Sequence, residues 1–323
     1  MATNSTLPAI IPPGFAVTAA SRLYGSLFNW LFFGILSVQT YVYNVNFPDD
    51  KVWSKAIVYG TYLLEAIQTG MNGADMYFWF ATGFSNISHM NNVNITPADV
   101  PILCGLVASV VQLFFAYRIY TLRRGYWTIC CLIIITSLFQ LAGAIGNGYR
   151  SFKVQEFSEF HDNIIFPQSM HVWLVGDVVC DILIAGTMLT LFFVSRRENT
   201  AQGNRILKNL VRLIVETNTL TAGMALISYI CYAALPDSPV FTCTTQIMGK
   251  LYSNTLLVTF NNRIILRKAF SSRRSIPLDP SQLQGPFNHK ANDTTYYVDS
   301  SFASSSSRET YDLGTGPFQA GKV

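Results

Sequence analysis

Charge is what this sequence is short of. Only 12% of its 323 residues are Asp, Glu, Lys or Arg, about half the share found in a soluble domain. Histidine is scarcer still. His89, His161, His171 and His289 are the whole set, and no H-x3-H or HExxH spacing occurs. That argues against a zinc hydrolase, which needs several His and Asp ligands at helical spacing. GxSxG, P-loop and dinucleotide fingerprints are missing too. The expectation is therefore no enzyme, no metal and no cofactor. No basic run is interleaved with aromatics, so a nucleic-acid partner is not expected either. The six cysteines, Cys104, Cys130, Cys131, Cys180, Cys231 and Cys243, contain no CxxC. They read as small buried hydrophobes, with Cys104 and Cys243 the one pair for which an outer disulfide could be drawn. The first twenty residues have no positive n-region, and Pro12 and Pro13 break their apolar run, so no signal peptide is expected there. No internal repeat of the kind that builds many transporters is evident.

What the sequence has is apolar length. Half of it is hydrophobic and its mean hydropathy is +0.30. A spanning helix needs about 20 mostly apolar residues. Seven stretches qualify, at roughly 22–46, 54–80, 99–121, 125–148, 170–194, 207–234 and 242–266. Pro-, Asp- and Asn-rich turns separate them, and such residues mark exits from a span. The fold class is all-α, a bundle of seven transmembrane helices in a lipid bilayer. The domain layout is an N-terminal segment 1–20, a membrane domain 21–268 and a Ser-rich tail 269–323. The tail has no apolar periodicity and is expected to be disordered. Its SSRRS at 271–275 would suit a basophilic kinase, although a merely solubilising tail fits equally.

Lysine and arginine set the orientation. The first, third and fifth loops and the start of the tail carry fifteen, among them Lys51, Lys55, Arg118, Arg123, Arg124, Arg196, Arg197, Arg205, Lys208 and Arg212. The N-terminal segment and the other three loops carry only Arg22, Arg150 and Lys153. This predicts an extracellular N-terminus and a cytoplasmic C-terminus. N-x-S/T acceptors at Asn4, Asn86 and Asn94 all fall on the predicted outside, as glycosylation requires. They favour the secretory route, and hence the plasma membrane or another membrane of that pathway.

Several stretches together carry a resemblance: FNWLFFGILSVQTYVY at 28–43, FPDDKVWSKAIVYGTYLLEAIQT at 47–69, VQLFFAYRIYTL at 111–122, RLIVETNTLTA at 212–222 and GKLYSNTLLVTFNNR at 249–263. From roughly residue 20 to 268 the chain resembles a family of multi-pass membrane proteins of mushroom-forming fungi, catalogued as a domain of unknown function. The resemblance implies a seven-helix integral membrane protein and no particular activity. The layout also suggests seven-helix receptors, but by fold-level analogy alone. AYRIY at 116–120 has no acid before Arg118, and SNTLL stands where a receptor would have an Asn-Pro motif.

Ionisable residues inside spans are costly and usually face the bundle interior. Counted at about 1.5 Å per residue, they fall into two layers. The outer one holds Lys250 with Asp177, Asp181 and Asp75. Asp177 and Asp181 are four apart and share a helix face. Three carboxylates against one lysine leave excess negative charge, suited to a cationic or amine ligand or to a proton. The inner layer holds Glu65 with Glu216, and Arg212 one turn before Glu216. A plainer reading has these groups pairing with one another to fix helix registry, since interhelical polar contacts are worth only about 0.6 kcal/mol on average. A retinal Schiff base on Lys250 is disfavoured, because the third span has no acid after Asp99 to stabilise it. The functional expectation is a receptor-like or sensor-like protein. It would bind a small ligand in the outer half and signal to a cytoplasmic partner through the basic loops and tail. The alternative is a small-solute or proton-coupled transporter using Asp177, Asp181 and Lys250.

Overall fold

The computed structural model describes residues 14–83, 86, 89, 92–153, 165–197, 204–235 and 240–264, except for the side chains of 165–167, 195–197, 204–211, 213 and 214. The chain divides into residues 1–275 and 276–323, and every described residue lies in the first unit. Asn4, the SSRRS segment and the tail at 269–323 therefore lie outside the described residues.

Among the described residues seven α-helices follow one another: α1 (Phe15–Asn46), α2 (Val52–Met76), α3 (Cys104–Leu122), α4 (Trp127–Ser151), α5 (Ile165–Arg197), α6 (Asn204–Ala234) and α7 (Val240–Asn261). The described residues contain no strand. A wider π-helical turn, Tyr77–Thr82, prolongs α2, and another, Ala98–Leu103, leads into α3 and contains Pro101. Proline has no N–H to give an α-helical ladder. The looser turn lets the chain enter α3 with that bond missing.

Among the described residues, three segments are long and apolar enough to cross a membrane by composition: Ala98–Leu122, Arg124–Ser151 and Gln168–Val194. Seven were expected. The difference has a physical cause, because the other helices carry many polar residues and turn them inward. On α2 the buried residues are Ser54, Val58, Thr61, Glu65, Gln68, Thr69, Asn72 and Asp75, a single stripe at spacings of three and four. On α1 the exposed face carries Leu23, Leu27, Leu31, Ile35 and Val38. On α6 it carries Leu220, Leu226, Ile227 and Ile230. Polar groups inside and large apolar groups outside reverse the arrangement of a water-soluble bundle and suit a lipid surround.

Helix α7 is the centre. Every residue from Thr245 to Leu257 is buried, and α7 packs against α1, α2, α3 and α6. Away from α7, α1 packs on α2, α3 on α4 and α5, α4 on α5, and α5 on α6, with a lighter contact between α2 and α3. Small residues set one close contact. Ala144 and Gly148 face inward, and a Cβ on Gly148 would lie 2.7 Å from the Pro97 carbonyl oxygen. The neighbouring pair Ala142 and Gly146, equally spaced in sequence, meets open space at Gly146, so only one of the two small-residue faces brings helices together. At the opposite end of the bundle from Asp75, Arg263 pairs with Asp50 and stacks on Phe47, 4.3 Å from its centroid. Tyr43 donates to the same carboxylate at 2.8 Å. All six cysteines are free, Cys104 and Cys243 included.

Candidate functional site

Two buried polar clusters meet on α7, and they differ in how their charges are balanced. The first joins α2 to α7. Lys250 and Glu65 form an ion pair with no exposed surface on either side chain. The ammonium has three hydrogens, and each finds an acceptor. One is the Glu65 carboxylate, one the Glu65 backbone carbonyl at 2.9 Å, and one Gln68 Oε1 at 2.8 Å. The other carboxylate oxygen accepts from Ser253 at 2.7 Å. Helical spacing produces the match, since Glu65 and Gln68 are three apart on α2 and Lys250 and Ser253 are three apart on α7. Gly249 permits the approach, because a Cβ there would lie 3.1 Å from Glu65 Oε1. The ring of Phe33 lies 5.5 Å from the ammonium and closes the α1 side.

This corrects the expected layering. Lys250 was grouped with Asp177, Asp181 and Asp75, and Glu65 with Glu216. Instead Lys250 pairs with Glu65. Glu216 pairs with Arg212 at 2.8 Å on the bundle surface, where the two side chains are 55% and 70% exposed. Depth counted along each helix ignores tilt and the reach of a lysine and a glutamate side chain. Together these close the gap between the two supposed layers.

The second cluster joins α3, α5 and α7. Asp177 and Asp181, one turn apart on α5, converge on Tyr252, whose hydroxyl lies 3.0 Å from Asp177 Oδ1 and 2.8 Å from Asp181 Oδ2. Gln112 on α3 donates to Asp177 Oδ1 at 2.9 Å and reaches Asp181 Oδ1 at 3.4 Å. Gln140 on α4 extends the network, donating to Gln112 Oε1 at 3.3 Å and to Ser109 at 3.2 Å. Thr221 on α6, whose hydroxyl donates to the Asn218 carbonyl at 3.0 Å, lies beside Asp181. Asp177 Oδ2 and Gln140 Oε1 are buried without a partner. Among the described residues, no lysine, arginine or histidine pairs with either aspartate.

Asp75 belongs to neither cluster. It ties down the connection to α3, accepting from Asn94 at 2.8 Å, the Ile95 N–H at 3.0 Å and Thr96 at 2.7 Å. Those bonds engage both ends of the Asn94-x-Thr96 acceptor, whereas Asn86 is exposed. Arg22, counted in the sequence as an outer charge, is buried on α1 over the Trp79 ring, 4.2 Å from its centroid, and sits in the field of Asp75.

Sequence reasoning did not single out Gln68, Ser253, Gln112, Gln140 or Tyr252. Gln112 gave a signal, as an amide in the otherwise apolar run VVQLFF. Tyr252 gave none, since a tyrosine in a span reads as packing or an interface anchor.

A family of unknown function, DUF6534, matches residues 177–264. The match runs from Asp177 to the end of α7 and includes both aspartates, Lys250 and Tyr252, but not Glu65 or Gln112. Neither a curated protein nor a solved structure matches the chain.

Proposed function

We propose that this chain is an integral membrane protein of seven spans, with its N-terminus outside and its C-terminus in the cytoplasm, that works as a receptor-like or sensor-like protein rather than an enzyme. The observation that carries the reading is the position of α7. It is buried from Thr245 to Leu257 and holds both polar clusters, so a change of charge at Asp177 and Asp181 bears directly on the helix at the centre of the bundle. The exposed apolar faces of α1, α2, α4 and α6 support the seven-span reading, and the distribution of lysine and arginine supports the orientation. Arg118, Arg123 and Arg124 lie at the cytoplasmic end in this orientation, where a signalling partner and the tail would meet. The plasma membrane or another secretory-pathway membrane is the proposed location, with Asn86 the outer acceptor best presented to a glycosyltransferase.

The ligand-binding reading moves with the geometry. Lys250 has all three hydrogens engaged and no surface to offer, so its role is structural. The acid pair, with acceptors to spare and no cation, is the part suited to an amine or another cationic group. Thermal stability of the purified protein against a panel of amines, wild type beside Asp181→Asn, tests this. A ligand that raises the melting temperature of the wild type alone supports the site, and a panel that shifts both equally or neither counts against it. Epitope tags on intact and permeabilised cells test the topology separately. The same unpaired acids favour one second reading, a proton-coupled transporter. Solute flux in liposomes that Asp181→Asn abolishes would select it.

A further inference from the structure

We infer that the Asp177–Tyr252–Asp181 cluster is a proton-binding site that holds a single exchangeable proton on Asp181. This deepens the sensor reading and rests on the bundle being embedded in lipid.

The argument is a count of hydrogens. A phenol has one hydrogen and can donate one bond. Tyr252 nevertheless lies at hydrogen-bond distance from two carboxyl oxygens, 3.0 Å from Asp177 Oδ1 and 2.8 Å from Asp181 Oδ2, both within the range of O–H···O bonds. One of the two contacts must take its hydrogen from the carboxyl side. Asp177 Oδ1 already accepts the Gln112 amide at 2.9 Å, so it is the acceptor. The remaining hydrogen then sits on Asp181 Oδ2 and points at the phenol oxygen. The chain of donors reads Asp181 to Tyr252 to Asp177, and the cluster carries one negative charge. Without that hydrogen, two carboxylates one helical turn apart would face each other across a phenol in a medium where a single charge is already expensive.

The surroundings give the proton no competitor. From α7 the cluster faces the titratable group Tyr252, and from the start of α3 it feels Cys104. On α5 itself it has Cys180. From α4 it meets the Gln140 amide, and from α6 the Thr221 hydroxyl. Among these described neighbours none is a cation. A second observation stands apart from the acid pair. Gln140, with no exposed surface, is anchored by its amide nitrogen against Gln112, and its carbonyl oxygen has no partner. Asp177 Oδ2 is likewise buried and unpartnered. The cluster is therefore rich in acceptors and short of hydrogens, which is the condition of a site that takes up H⁺.

Infrared spectroscopy of the full chain in lipid nanodiscs at neutral pH tests this. The expected result is a carboxylic-acid carbonyl band that shifts in D₂O and is lost in Asp181→Asn. A wild-type spectrum with no such band overturns the proposal, as does a band that Asp181→Asn leaves unchanged. Melting temperature gives a second readout. The asparagine amide can donate to Tyr252 as the protonated acid does, so Asp181→Asn should match the wild type in acid and exceed it by several degrees in alkali, where the wild type loses its proton. Stabilisation by sodium over choline at neutral pH, abolished by Asp181→Asn, would mean a metal cation occupies the site and would overturn the proton assignment. Each failure leaves the tag-based topology result standing, and a failed topology is read from the tags alone.

Discussion

On one side of α7, Lys250 meets Glu65; two residues further along the same helix, Tyr252 meets Asp177 and Asp181. Both clusters are buried, and both are built from side chains at helical spacing. The first is complete, with charges cancelling and each hydrogen of the ammonium accepted. The second has two acids, one phenol, two amides and two orphaned acceptor oxygens. The lesson is that two equally buried clusters on one helix differ in their balance of charges and hydrogens, and burial alone does not tell them apart. Lys250 is the more conspicuous residue in the sequence and the less available one in the fold.

The comparison can be broken most forcefully at the balanced cluster. Lys250→Met strands a buried carboxylate and should destabilise the protein by about 3–5 kcal/mol, while replacing both Lys250 and Glu65 with apolar residues should restore most of that. Unfolding of the two variants in detergent measures it, and additive losses would mean the pair is not a unit. At the unbalanced cluster, Tyr252→Phe removes the one hydroxyl shared by two acids. A loss of about 1–3 kcal/mol is expected, larger in alkali than in acid, by the same assay across pH.

A smaller effect sharpens the contrast at the bundle's other end. Arg263 and then Tyr43 bond the Asp50 carboxyl and, against the opposing pull of partial burial, hold it down at about 2 from its ordinary 3.8. A lowered carboxylate contributes stability above its unfolded value and loses it as pH falls through the folded one. The melting-temperature advantage of wild type over Asp50→Asn should therefore shrink from about pH 4 to about pH 2, and an advantage that grows in acid would contradict the pairing. The partly exposed site limits it to about 1 kcal/mol. Smallest of all, Arg212→Ala at the exposed Arg212–Glu216 pair should cost no more than about 0.3–0.5 kcal/mol, and less in high salt.

The helices were legible because their apolar runs are bounded by Pro, Asp and Asn, and because exposed apolar stripes such as Leu23–Leu27–Leu31 make each run long. Their ends were not. Helix α1 starts at Phe15 and α5 at Ile165, several residues before their apolar stretches begin, since hydrogen bonding carries a helix on where hydropathy has stopped marking it. That Asp177 and Asp181 share a face followed from their spacing. That Lys250 would choose Glu65 over them did not, because partner choice depends on which helices touch, and sequence spacing within one helix says nothing of that. Asp75 was grouped with Lys250 for a related reason. The chain doubles back, so residues 94–96 return to its carboxylate and engage it instead.

The most direct measurement follows the melting temperature from about pH 5 to about pH 9 for wild type, for Asp181→Asn and for a Lys250→Met/Glu65→Leu double variant. If the acid pair is the responsive site and the ion pair only structure, the double variant keeps the wild-type pH dependence and Asp181→Asn loses it. A pH dependence that vanishes with Lys250 and Glu65, and survives in Asp181→Asn, would contradict the account.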